Sequence, residues 1–331
     1  MRSYFVYELK KNAYTLGCIT LILTILYLLP LLTMYREDFA SFNNLAEISA
    51  IGGLLALALP CRIFKYRTTR RSVDLYYALP LSHTKIFITK FLFGLVMVYL
   101  PYTVAYWFGA LVAIAKAGDV INAVWYVPQY FASVLPIYCI YALTTFAFTR
   151  ANTAKDGIMF ILFWAFAVGM VVLVILDLFA DYSSFYYPYY FLPYAPLDSA
   201  TSYFMRKISE RVYTEPDYAV MAIGFTLTGL MAAGATVWVM LTEKSAKGEN
   251  AGQISESWFG YKVMIPFYTV SILSMIPLHS LMYIFVILVI IGAYLLTSYY
   301  RRTLKISKNQ IIILGASILS GIILSLIFST F

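Results

Sequence analysis

Two histidines, His83 and His279, and three cysteines, Cys18, Cys61 and Cys139, are the residues of this 331-residue chain most able to ligate a metal or act as nucleophiles. The histidines fall in different regions and the cysteines all lie inside apolar blocks. Neither a metal-ligand spacing nor a disulfide framework can be drawn from them. HExxH, GxSxG and paired carboxylates within an apolar block are all missing, and with them the acid, base and nucleophile that hydrolytic chemistry needs. Asp177 is the one acid near the interior of such a block, and it sits close to an end, within reach of water. No GxxxxGK[ST] occurs, so the chain has no phosphate-cradling loop of its own. The remaining chemistry is recognition, concentrated in a basic, aromatic segment at Lys65–Lys90 and a tyrosine-rich one at Asp181–Asp217.

Composition says what must hold these segments. The chain is 62% apolar and 12% charged, whereas soluble domains run about 45–50% and about 25%. Its mean hydropathy is +0.78. Too few charges are present to cover a globule in water, and the apolar residues come in blocks long enough to cross about 30 Å of hydrocarbon as helices. An all-α polytopic membrane protein follows. A soluble enzyme, a disulfide-stapled secreted domain and a DNA-binding module are excluded. The net charge of +8 needs no nucleic acid, because charge placement explains it.

The predicted spans are Tyr14–Met34, Leu45–Phe64, Ile86–Ala115, Tyr130–Thr149, Gly157–Ala180, Tyr218–Leu241 and Ile311–Phe331. Val263–Tyr300 is too long for one span and is interrupted by Pro277 and His279, which reads as a short helical hairpin. With the N-terminus inside, only Arg36, Lys116, Arg206, Lys207 and Arg211 lie in outer segments. Lys90 stands in the start of the third span, and all other Lys and Arg fall inside, as cytoplasmic loops require. The hairpin keeps Arg301, Arg302, Lys305 and Lys308 inside. Nine passes with the C-terminus outside are favoured; a re-entrant hairpin gives the same sidedness. The run from Tyr14 lacks a small-residue cleavage pattern, so it reads as a retained span rather than a signal peptide. The preceding Tyr4–Tyr14 mixes apolar and charged residues in a way that suits an interfacial helix. By eye the chain has no internal repeat, which speaks against inverted-repeat carriers.

In Lys65–Lys90, KYRTTRRSVDLYYALPLSHTKIFITK, Ser72 is the predicted cap of a short helix through Leu79, with Asp74 in its first turn. Pro80 ends that helix, and Ser82 caps the long third span. Two uses are open: a loop that binds anionic lipid through Arg67, Arg70 and Arg71, or a protein-docking helix exposing Leu and Tyr.

The stretch R-R-S-V-D-L-Y-Y-A-L-P-L-S-H-T-K-I-F-I-T-K-F, Arg70–Phe91, resembles ABC-transporter permease subunits of the type-2 exporter class. In particular it is similar to those of Gram-positive bacteria that work with a separate ATPase subunit and carry D-x-Y-x-x-L-P-[ILV]-[ST]-R-x-x-I…K between the second and third spans. His83 stands where Arg is common. Over the whole chain the likeness is loose. It implies an exporter-like core over residues 1–242, with an interfacial N-terminal helix, six spans and a coupling helix at about 70–79. It further implies a C-terminal membrane extension over residues 243–331. The coupling helix would dock in a cleft of the ATPase through Asp74, Leu75, Tyr77, Leu79 and Pro80, with Arg70 and Arg71 at the rim. Two copies of the cytoplasmic ATPase, holding ATP and Mg, and a second permease, identical or paralogous, are the implied partners, in the plasma membrane. The chain itself would bind no cofactor.

In Asp181–Asp217, the tyrosines Tyr182, Tyr186, Tyr187, Tyr189, Tyr190 and Tyr194 are set among Pro188, Pro193 and Pro196. From Leu197 a helical stripe runs through Ala200, Phe204, Ile208 and Val212. An aromatic belt seated on the outer leaflet is one reading. The resemblance implies another, an outer gate that dips into the membrane, with Tyr186, Tyr187, Tyr189, Tyr190, Tyr194 and Phe204 as candidates. The expected function is export of an amphipathic or lipid-like cargo, such as a peptide antibiotic, a lipid or an envelope precursor. The alternative is a non-transporting immunity or sensor subunit that binds a peptide at the tyrosine-rich loop.

Overall fold

In hydrocarbon a backbone must satisfy its own hydrogen bonds, so apolar blocks of this length are forced into helices. A computed structural model of the chain describes residues 2–35, 44–78, 80–117, 121–179, 195–208, 218–243, 250–253, 255, 257–276 and 283–330. Eleven α-helices are formed among the described residues: α1 (Arg2–Thr33), α2 (Asn44–Ile63), α3 (Arg70–Tyr77), α4 (His83–Ala117), α5 (Tyr126–Thr149), α6 (Ala154–Phe179), α7 (Ala195–Ile208), α8 (Tyr218–Thr242), α9 (Tyr261–Ser274), α10 (Tyr283–Arg301) and α11 (Lys308–Thr330). Seven of them are long and apolar enough to cross a bilayer: α1, α2 with the 3-10 turn Phe64–Arg67 that extends it, α4, α5, α8, α10 and α11. The protein is a helical, polytopic membrane protein. α6, 26 residues long, begins and ends close to the expected fifth span.

Two expectations change. The segment Tyr4–Tyr14 is no separate interfacial helix, because α1 runs unbroken for 32 residues. Its Glu8 is buried against Lys90 of α4, which ties the segment to the bundle. The hairpin forms, with α9 packed on α10 and α11, but α9 is only 14 residues long. At about 1.5 Å per residue it covers about 21 Å, short of a full crossing. Pro277 and His279, which marked the interruption, lie outside the described residues.

α1 packs on α4, while α5 lies centrally against α2, α6, α7 and α8, and α9 joins the C-terminal helices to α6. Tyrosines fill the core, and each hydroxyl described below has a partner, as a buried phenol requires. The Tyr102 hydroxyl meets Ser133 Oγ at 2.6 Å, Tyr106 donates to the Tyr126 carbonyl at 2.7 Å and Tyr141 to that of Phe91 at 3.1 Å. All three bonds tie α4 to α5. Gly94 permits the last of them, since a Cβ there would collide with the Tyr141 hydroxyl. At the other end of α4, Lys116 donates to the carbonyls of Leu31, Leu32 and Met34 and so caps the C-terminal turn of α1. The exposed Leu and Ile side chains of α1, α10 and α11 suit a lipid-facing surface.

Candidate docking site

α3 starts a turn earlier than the capping pattern suggests. Thr69, with extended backbone, is its N-cap residue, and its carbonyl accepts from the amides of Ser72 at 3.1 Å and Val73 at 3.0 Å. Ser72 therefore lies within the helix, where its hydroxyl accepts from Thr69 Oγ1 at 2.8 Å. Asp74 falls outside the first turn. Thr69 and Ser72 belong to the same capping class, and Val73 decides between them, because the observed start turns it into the core at 3% exposure. The helix ends at Tyr77, with Ala78 as its cap and Pro80 exposed beyond it. Leu79 and the side chain of Tyr77 lie outside the described residues. Ser82 does stand at the start of α4, where its carbonyl accepts from the Ile86 amide at 3.1 Å.

Arg70, Arg71 and Asp74 are exposed, and Leu75 has 68% of its surface free. An apolar side chain this open on a charged helix is what a docking anchor needs before its partner arrives. Tyr76 points the other way. Its ring lies 4.8 Å from that of Tyr66 in the 3-10 turn, and the Lys90 ammonium sits 4.7 Å from its centre. Lys90 also donates to the Tyr76 hydroxyl at 3.3 Å and pairs with Glu8 at 2.8 Å. One buried cation thus joins α3, α4 and α1.

The N-terminal end of α3 is held differently. Arg67, in the turn just before it, pairs with Glu243 at 2.8 Å, directly after α8, and Arg70 Nε donates to the Ala251 carbonyl at 3.3 Å. Burial pushes the Glu243 carboxyl above its usual range, against the pull of Arg67, Arg150 and His83. Burial, followed by repulsion from Arg67, lowers the Arg150 guanidinium to about 10. Arg150 donates to Thr242 Oγ1 at 2.8 Å. The segment after α8 is anchored in turn at Asp156, which accepts from Ser255 Oγ at 2.6 Å and Tyr261 at 3.0 Å.

Sequence reasoning missed Glu8, Lys90, Glu243 and Asp156 as site residues. The available signal was a charge at or just inside the edge of an apolar block. Of the outer-gate candidates, Phe204 lies on α7, its ring 6.1 Å from Trp125. α7 packs against α2 and α5, with Ala200 and Ile208 buried and Thr201 donating to Ser49 of α2 at 2.8 Å. Tyr182, Tyr186, Tyr187, Tyr189, Tyr190, Tyr194 and Val212 lie outside the described residues, as does the side chain of Asp177. No group of His, Cys, Asp and Glu suited to a metal occurs among the described residues. No family model, no curated protein and no solved structure matches the chain.

Proposed function

We propose that this chain is the membrane permease subunit of an ATP-driven exporter, with α3 as the coupling helix on which a separate cytoplasmic ATPase docks. The observation that carries the proposal is the two-sidedness of α3: Leu75 stands open beside Arg70, Arg71 and Asp74, while Val73 and Tyr76 fasten the opposite face to the bundle. A surface that only received lipid would need no such mounting. Two ATPase copies, holding ATP and Mg, would serve a pair of permeases, identical or paralogous, with the N-terminus cytoplasmic and the C-terminus outside the plasma membrane. Residues 1–242 would form the exporter core and 243–331 the extension. The pathway would run between the permeases, lined by Ser of α2 and Phe and Met of α6. It would take an amphipathic or lipid-like cargo, because such a lining offers no charge to match. α7, packed among the spans, supports the outer-gate role of Phe204.

The test is co-purification with the stand-alone ATPase encoded nearest to this chain in its own genome. L75A/Y77A removes apolar anchors worth about 2 kcal/mol or more each and is expected to abolish the complex with insertion unchanged. R70Q/R71Q, a change at the rim, is expected mainly to slow association and alter its salt dependence. Loss dominated by the arginines, with the apolar pair silent, refutes docking and returns α3 to a lipid-binding loop.

A further inference from the structure

Behind α3, between its inner face, α1, the end of α2 and α4, lies a cavity of about 250 Å³ whose lining is half polar. Glu8 and Lys90 meet in it and neutralise each other at 2.8 Å. Lys11, Arg62 and Lys65 line it as well, and no carboxylate besides Glu8 does so among the described residues. Arg62 donates to a neutral hydroxyl, Thr15 Oγ1, at 3.3 Å. The hydroxyl side chains of Thr69, Ser72 and Tyr76 complete the wall. Four cations and one carboxylate therefore share one concave site with the hydroxyls, which leaves it a net charge of +3.

We propose that this cavity is a phosphate site filled by the headgroup of an anionic phospholipid, seated under α3. Solvated surface lysines would account for the charges but not for their convergence on one pocket with the hydroxyls. Basic pockets between membrane helices on the cytoplasmic side take phospholipid headgroups, and the sequence places Lys11, Arg62 and Lys65 on that side. The volume is smaller than the about 300–1,000 Å³ of a pocket that engulfs a whole ligand, so the acyl chains must lie outside. α1 provides a track for them: Ile22 and Leu26 follow Lys11, Thr15 and Cys18 at helical spacing, and both are exposed. Phe93 and Met97 make the cavity's apolar floor. This site stands whether or not α3 docks an ATPase.

The probe is phosphatidylglycerol added to the purified, detergent-solubilised full chain, with phosphatidylcholine as the neutral comparison and retained lipid counted by native mass spectrometry. Phosphatidylglycerol is expected to be retained at concentrations where phosphatidylcholine is not. Each cation near an anionic headgroup contributes about five-fold to affinity, so K11Q/R62Q/K65Q is expected to weaken retention about a hundredfold. K85Q/K305Q/K308Q removes the same charge from exposed positions elsewhere and is expected to change it far less. Should the first triple variant fail to fold, Lys65→Gln alone, at an exposed position, is expected to lose about five-fold, with recovery in Lys65→Arg. Equal retention of the two lipids, or equal loss in both triple variants, overturns the proposal. So does complete displacement of phosphatidylglycerol by millimolar inorganic phosphate, which would assign the pocket to a free anion.

Discussion

Replacing Lys90 by Met leaves Glu8, which is 1% exposed, as a buried carboxylate without its cation. Removing one partner of a buried ion pair costs about 3–5 kcal/mol, whereas removing both is often neutral. Lys90 also lies over two rings, 4.7 Å from Tyr76 and 5.7 Å from Tyr66. Each such contact adds about 0.5–2 kcal/mol, part of which a methionine sulfur on the same rings retains. K90M is therefore expected to destabilise the protein by about 3–5 kcal/mol and E8Q by about 3 kcal/mol. E8Q/K90M should fall below their sum by more than about 2 kcal/mol. Unfolding in mixed micelles by titration with dodecyl sulfate, followed by tryptophan fluorescence, measures the four-protein cycle. Hydrogen exchange over Val73–Tyr77 provides a second, local readout, because only the Lys90 change also releases Tyr76. Additive losses would show that the two charges do not interact. Unaltered exchange in K90M would show that Lys90 does not hold α3. Either result refutes the mounting described here.

A Cβ at Gly94 meets the Tyr141 hydroxyl, while one at Gly17, inside α1, meets nothing within 4 Å; G94A is expected to lose about 1–3 kcal/mol and G17A to gain up to about 1 kcal/mol in the same titration. Glu243 is held above the usual carboxylate range, so in mild acid the folded state binds a proton that the unfolded state, near about 4.3, does not. Stability linked to this group accordingly rises as pH falls through the folded value and is fully gained below the unfolded one. An infrared carboxylic-acid band present at a pH above the usual range, and missing in E243Q, checks this. Lys305→Cys is expected to resist a membrane-impermeant thiol reagent applied outside intact cells; rapid labelling there would reverse the sidedness assigned to the C-terminal helices.

The spans were legible because each is a run of apolar residues whose only stable form in hydrocarbon is a helix. The short hairpin was legible from Pro277 and His279, although which arm is the shorter was not. α3 was half legible. Arg70–Tyr77 carries apolar residues on both faces, and periodicity in eight residues cannot tell which face turns inward. Leu75 was assigned to the exposed face and is found there; Val73 and Tyr76 went unrecognised as the anchors. The ties themselves were illegible for a different reason. Arg67 and Glu243 stand 176 residues apart, and nothing local to either names its partner. Lys90 could be seen only as a cation out of place in an apolar span.

The two holds on α3 differ physically, and the difference bears on what moving it would do. Tyr76 rests on a buried ion pair in which α1 and α4 both take part. The other end of α4 grips α1 again through Lys116. Two helices tied at both ends by directional polar contacts cannot slide past one another as apolar faces can, so they shift together. α5 is bound into the same body by the Tyr102, Tyr106 and Tyr141 hydroxyls. Arg67 and Arg70 lead elsewhere, to the end of α8 and the segment that follows it. Glu243 there is as deeply buried as Glu8, and burial raises its carboxyl. A displacement of α3 consequently carries α1, α4 and α5 with it. α8 follows α5, because the Tyr138 hydroxyl meets Thr236 Oγ1 at 3.1 Å and Arg150, just after α5, donates to Thr242 Oγ1 at 2.8 Å.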